Sequence, residues 1–174
     1  MRVIRSILAA TLGAVCLSES AFALSCMRPD LAQTMEKAKQ SEKLYYILVG
    51  TLTPDTPIKP VKPDYNNQHR EKPPEITRVR FNGYSLAQNR GADVPLRGFP
   101  VDVETRCFGP WCSGVPVSTD TQIFFVEAGR GSAPVLRVSP CPEMVFHVDP
   151  KQEQVSKLRT CFDKECVSEQ PEYR

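Results

Sequence analysis

Histidine is nearly missing from this chain. Only His69 and His147 occur in 174 residues. Neither has a second histidine four positions away, so no helical His pair for zinc can form. G-x-S-x-G, H-E-x-x-H and P-loop patterns are absent as well. These gaps exclude the common hydrolytic and nucleotide-binding chemistries, and the chain is expected not to be an enzyme. No catalytic residue, metal ligand or cofactor is assigned. An excess of one charge sign is also lacking, with 22 Lys and Arg against 20 Asp and Glu. Hence no global field draws nucleic acid or an anionic membrane. No apolar run reaches the ~20 residues of a membrane-spanning helix.

What is present starts with an address. Arg2 and Arg5 precede an apolar run from Ile7 to Leu17, and Ala21-Phe22-Ala23 reads as a cleavage site. Residues 1–23 are therefore expected to be a secretory signal peptide. The expected product is a soluble protein of the periplasm or the extracellular space. A lipid anchor on Cys26 fits poorly, because Ala23 stands three positions before it, where a lipobox carries Leu. Cleavage leaves Leu24 first and one domain over 24–166, with a flexible tail at 167–174. That length suffices for a core.

Six cysteines remain after cleavage: Cys26, Cys107, Cys112, Cys141, Cys161 and Cys166. An even count in an oxidising compartment points to three disulfides, with 15 possible connectivities. Spacing favours Cys107–Cys112 and Cys161–Cys166 as short rings, which leaves Cys26–Cys141 as a long bridge. The Gly109-Pro110 turn inside "CFGPWC" helps to bring the first pair together. Two other readings stay open. Cys107 and Cys112 can be a redox dithiol, although such pairs usually enclose two residues near a helix start. The two C-x4-C pairs can also form a four-thiolate zinc site, against competition from disulfides. Trp111, the only tryptophan, is expected to pack on its neighbouring disulfide rather than to serve in recognition.

The remaining order follows from periodicity and punctuation. Asp30 with Gln33 caps a helix ending near Gln40-Ser41, with Leu31, Met35 and Ala38 on one face. Residues 43–52, "KLYYILVGTL", form a strand buried on much of both faces. Residues 53–75 hold six prolines and read as a long exposed loop. Strands follow at 77–84 and 98–107, each alternating apolar and charged. On the second, Asp102 and Glu104 share a face with Arg106 and read as exposed, solubilising charges. Residues 121–128 make a central strand, 128–131 a hairpin turn and 134–141 its partner. A last helix begins at Asp149-Pro150, with Val155, Leu158 and Phe162 apolar.

Helix, five strands and helix, with a cysteine tie from the N-terminal region to the late sheet, resemble the netrin-like module. That is the OB-type barrel of tissue inhibitors of metalloproteinases and of netrin C-terminal domains. The likeness rests on Cys26, "YYILVGTL", "FFVEAGRGSAPVLRVSPC" and Cys161, and covers most of the mature chain. It implies a mainly β, five-stranded, disulfide-stapled barrel with flanking helices. Inhibitors of that kind begin with a cysteine whose α-amine chelates zinc. Here Leu24-Ser25 precede Cys26, so that chemistry is not expected. "CFGPWC" has no counterpart in the pattern and reads as the mark of a bacterial, exported branch. The function this implies is an interaction module, inhibitor-like in kind, whose partner is another envelope or extracellular protein. A thiol–disulfide redox protein using Cys107 and Cys112 is the alternative. Trp111, Tyr65, Arg70, Arg78 and Arg80 are the candidate partner contacts, with the 53–75 loop as the contact element or, equally, a tolerated insertion, though the arginines are most simply a solvated strand face and its flanking loop.

Overall fold

In a computed structural model of the chain, which describes residues 26, 29–62, 73–87, 91–129, 132–148 and 153–168, Asp30 opens the first helix as expected. Its Oδ1 accepts from Ala32 N at 2.8 Å and Gln33 N at 3.0 Å, satisfying two of the unpaired N–H groups at a helix start. The elements are α1 (Leu31–Gln40), β1 (Tyr45–Pro54), β2 (Glu75–Ser85), β3 (Val94–Thr105), β4 (Cys107–Phe108), β5 (Trp111–Cys112), β6 (Gln122–Glu127), β7 (Val135–Val138), β8 (Val145–His147) and α2 (Glu153–Asp163).

β1 closes the sheet into a barrel. Its first half pairs with β6, Tyr45 opposite Glu127, and its second half pairs with β2, Pro54 opposite Val79. From β2 the order runs through β3 and β7 to β6 and back to β1, with β3 parallel to β7. With the short strands set aside this is a closed five-strand barrel of OB-like order. The β1–β2 crossing needs glycine on both strands. Gly50 lies opposite Gly83. A Cβ on Gly50 would meet Asn82 O at 2.1 Å, and one on Gly83 would meet Val49 O at 2.2 Å.

The alternation of β1 serves two cores. Leu48 and Leu52 enter the lumen with Val79, Phe81, Val101, Val103, Phe124, Val126, Leu136 and Val138. Ile47 and Val49 turn outward and meet Ile123, Phe125, Phe146 and the helix residues Ala32, Met35, Val155 and Leu158. β6 shows the same double burial. The lumen is thus packed with side chains, and the two helices together cover the outer face of β1 and β6. Burial of a large side chain is worth ~1.5–3 kcal/mol, so these two layers dominate stability.

All three disulfides form with the connectivity that spacing favours. Cys26–Cys141 spans 115 positions, while Cys107–Cys112 and Cys161–Cys166 each span 5. Three strands were not foreseen: β4, β5 and β8. β3 also starts at Val94, ahead of the expected 98, and β2 extends to Glu75 and Ser85. Pro95 and Pro100 both lie within the strand. The expected signal peptide, residues 63–72 of the proline-rich loop, the 149–152 cap, Arg130-Gly131 of the hairpin turn and residues 169–174 lie outside the described residues.

Candidate interaction site

The stretch after β3 folds into a small separate ribbon. Cys107 faces Cys112 and Phe108 faces Trp111 in antiparallel register. Gly109 takes φ 57°, and Pro110 fixes its own φ near about −65°. Those signs fit a type II′ turn, whose twist suits a two-residue hairpin. The Cα atoms of Cys107 and Cys112 lie 3.9 Å apart, directly across the ribbon. Phe108 is 66% exposed, while Trp111 is half-buried.

Ser113 ties this ribbon to the barrel. Its side chain is buried, and its hydroxyl donates to Val138 O at 2.7 Å while accepting from Arg106 N at 3.0 Å. Its own N–H donates to Arg106 O at 2.9 Å. Three backbone groups at the end of β3 and β7 are thereby paired through one small residue. Turn, disulfide and serine together restrain the aromatic tip.

The outer wall of the barrel is charged but internally matched. Arg78 is bidentate to Asp102, its neighbour across the β2–β3 ladder. Arg80 meets both oxygens of Asp55, at 3.0 and 3.1 Å. Further round, Glu104 accepts from Arg106 and Arg137. Glu127 accepts from Arg137 at 3.0 Å and Lys43 at 2.9 Å. Burial pushes the Glu127 carboxyl up, but Lys43 and Arg137 outweigh it, and its pKa lies below the ordinary value. Glu104, expected as an exposed charge, is instead 7% exposed beneath its two arginines.

A groove lies between the helices and the start of β1. A cavity of about 350 Å³ opens between Met35 and Ala38 of α1, Leu44, Tyr45 and Ile47, and Phe162 of α2. A neighbour of about 260 Å³ continues past Tyr46 to Ser85 and Leu86. Its lysines are engaged. Lys39 Nζ donates to Glu36 Oε1, Cys161 O and Lys164 O at 2.9, 3.1 and 3.0 Å, and Lys43 is held by Glu127.

Of the expected contacts, Trp111 lies on the hairpin, Arg78 and Arg80 lie on β2, and Tyr65 and Arg70 are outside the described residues. Among the described residues no hydrogen bond or ion pair joins Trp111 to the two arginines. Phe108 and Ser113 were missed by sequence reasoning. The symmetry of Cys-Phe-Gly-Pro-Trp-Cys about its turn was the available signal for Phe108. Among the described residues no cluster of His, Cys, Asp and Glu could hold a metal ion, and no helix is long and apolar enough to cross a membrane. Comparison of the chain with family models, with curated proteins and with solved structures finds no match. The OB-like description therefore rests on strand order and closure.

Proposed function

We propose that the protein is an exported, disulfide-stabilised interaction module that binds another protein of the envelope or the extracellular space. The observation that carries this reading is the hairpin tip: an exposed phenylalanine beside tryptophan, locked by a disulfide and anchored by Ser113. Among the described residues the lumen is filled by packed side chains, so a partner is expected on the outer surface. Rigid aromatic residues give large contact area at small entropic cost, which is how interface anchors work. Three disulfides suit an oxidising compartment, as do the basic start, apolar run and A-x-A site of residues 1–23. The netrin-like resemblance supports the same class, with the Leu24-Ser25 extension arguing against zinc chelation by a terminal cysteine.

The rival reading, thiol–disulfide exchange at Cys107 and Cys112, has less support. Both cysteines sit in strands, away from the helix N-terminus that lowers a thiol pKa. The test places a photo-crosslinking phenylalanine analogue at position 108 in the producing cell, and at Val167, which is 76% exposed, as a control. A discrete protein adduct from 108 and none from 167 is expected. No adduct at 108, together with ready reduction of Cys107–Cys112 by glutathione, would move the assignment to redox chemistry.

A further inference from the structure

β3 is 12 residues long, but β7 pairs only with its last part, Asp102 to Thr105. From Val94 to Val101 its second edge meets no strand among the described residues. An unpaired edge is a template for another chain. Val94 is 53% exposed, and Pro95, Arg97 and Gly98 are exposed too.

The backbone direction at each position follows from the ladder. Asp102 N donates outward, to Pro134 O at 2.9 Å, so its backbone points away from β2. In regular alternation Pro100, two positions earlier and opposite Arg80, points the same way. The register then slips: Phe81 faces Phe99, but Gly83 faces Leu96. β3 thus carries one extra residue here, a bulge where Gly98 has φ 61° and its N–H turns to Asn82 Oδ1 at 3.0 Å. One extra residue inverts the alternation. Pro95, opposite Tyr84, therefore also points to the open side; Tyr84 itself faces β1, as Leu86 N does in donating to Ile47 O. Before and after the bulge, proline occupies the outward position and has no N–H to offer.

We propose that Pro95 and Pro100 close the open edge of β3 to strand addition by a second copy of this chain. Arg97 adds an exposed charge between them, and the bulge bends the strand, both of which oppose edge pairing. The inference is independent of the hairpin reading and survives its failure.

The test compares three forms of the exported chain with disulfides formed, by sedimentation equilibrium. The unchanged protein is expected to be monomeric. Pro95→Val with Pro100→Val restores two outward donors on a strand-forming background, and its dimer constant should tighten by about tenfold or more. Pro95→Lys with Pro100→Lys restores the same donors but adds edge charge, and should stay monomeric. Near-ultraviolet circular dichroism checks that each is folded. A valine form as monomeric as the parent would overturn the proposal. So would lysine and valine forms that associate equally. Unfolding of both forms would assign the prolines to folding and equally reject it.

Discussion

Cys107–Cys112 and Cys161–Cys166 each enclose four residues, yet the first disulfide stands near the surface and the second is buried against the helix-side core. At the first, both cysteines are half-buried and Phe108 beside them is in solvent. At the second, Cys161 is 3% and Cys166 9% exposed, within the helix-side core. The second ring is also stitched to α1. Cys166 N donates to Glu36 Oε1 at 2.9 Å, and Lys39 reaches the carbonyls of Cys161 and Lys164. α2 has no basic residue in its own last turn, so Lys39 of α1 supplies the cation that a helix C-terminus favours. The lesson is that a ring's loop length fixes its entropic effect, whereas its surroundings decide what else depends on it.

Replacing Cys161 and Cys166 by Ser should show the larger effect. A six-residue ring contributes roughly 2 kcal/mol by chain entropy. Two hydroxyls left in an apolar setting raise the loss to roughly 3–5 kcal/mol. Urea denaturation of the oxidised protein measures it. The same change at Cys107 and Cys112 should cost no more than about 2 kcal/mol. Equal losses at the two rings would break the contrast, and so would a larger loss at the hairpin.

The surface ring can be sharpened through its anchor. Ser113→Ala removes the hydroxyl that joins Arg106 to Val138, and should cost about 1–2 kcal/mol. It should also loosen the hairpin, seen as faster amide exchange at Phe108 and Trp111. Unchanged exchange would mean that the disulfide alone holds the tip.

Much of this architecture was readable because it depends on local chemistry. Asp30 announced α1, alternation on β2 and β3 marked lumen and surface, the doubly apolar β1 declared burial on both faces, and β6 read as a central strand. Even the disulfide pairing followed from spacing. What stayed hidden depends on contacts between distant segments. Ser113 looks like a loop serine until Val138 is brought beside it. Glu104 looks solvated until Arg137, 33 positions away, covers it. β8 has only three residues and exists because β6 offers it an edge. The orientation of Phe108 depends on a turn whose direction no periodicity encodes.

The smallest expected effect couples the buried disulfide to pH. Glu36 accepts from the Cys166 N–H and from Lys39, and these hold its carboxyl below the ordinary value of 4.5. A depressed folded pKa means that the stabilisation is present above the unfolded value and is lost as pH falls through the folded one. Glu36→Gln keeps an acceptor for Cys166 but removes the charge. Against the parent it should lose under about 1 kcal/mol near neutral pH, since the pair is partly solvated. That difference should shrink steadily below about pH 4.5 as the parent carboxylate is protonated. Combined with Cys161→Ser and Cys166→Ser, the loss should be smaller than on the parent, because the two changes share the strand of chain they restrain. Combined with Cys107→Ser and Cys112→Ser, it should simply add, since that ring lies elsewhere. Additivity at both rings would show that Glu36 acts on Lys39 alone and that the buried disulfide carries no acid-sensitive contact.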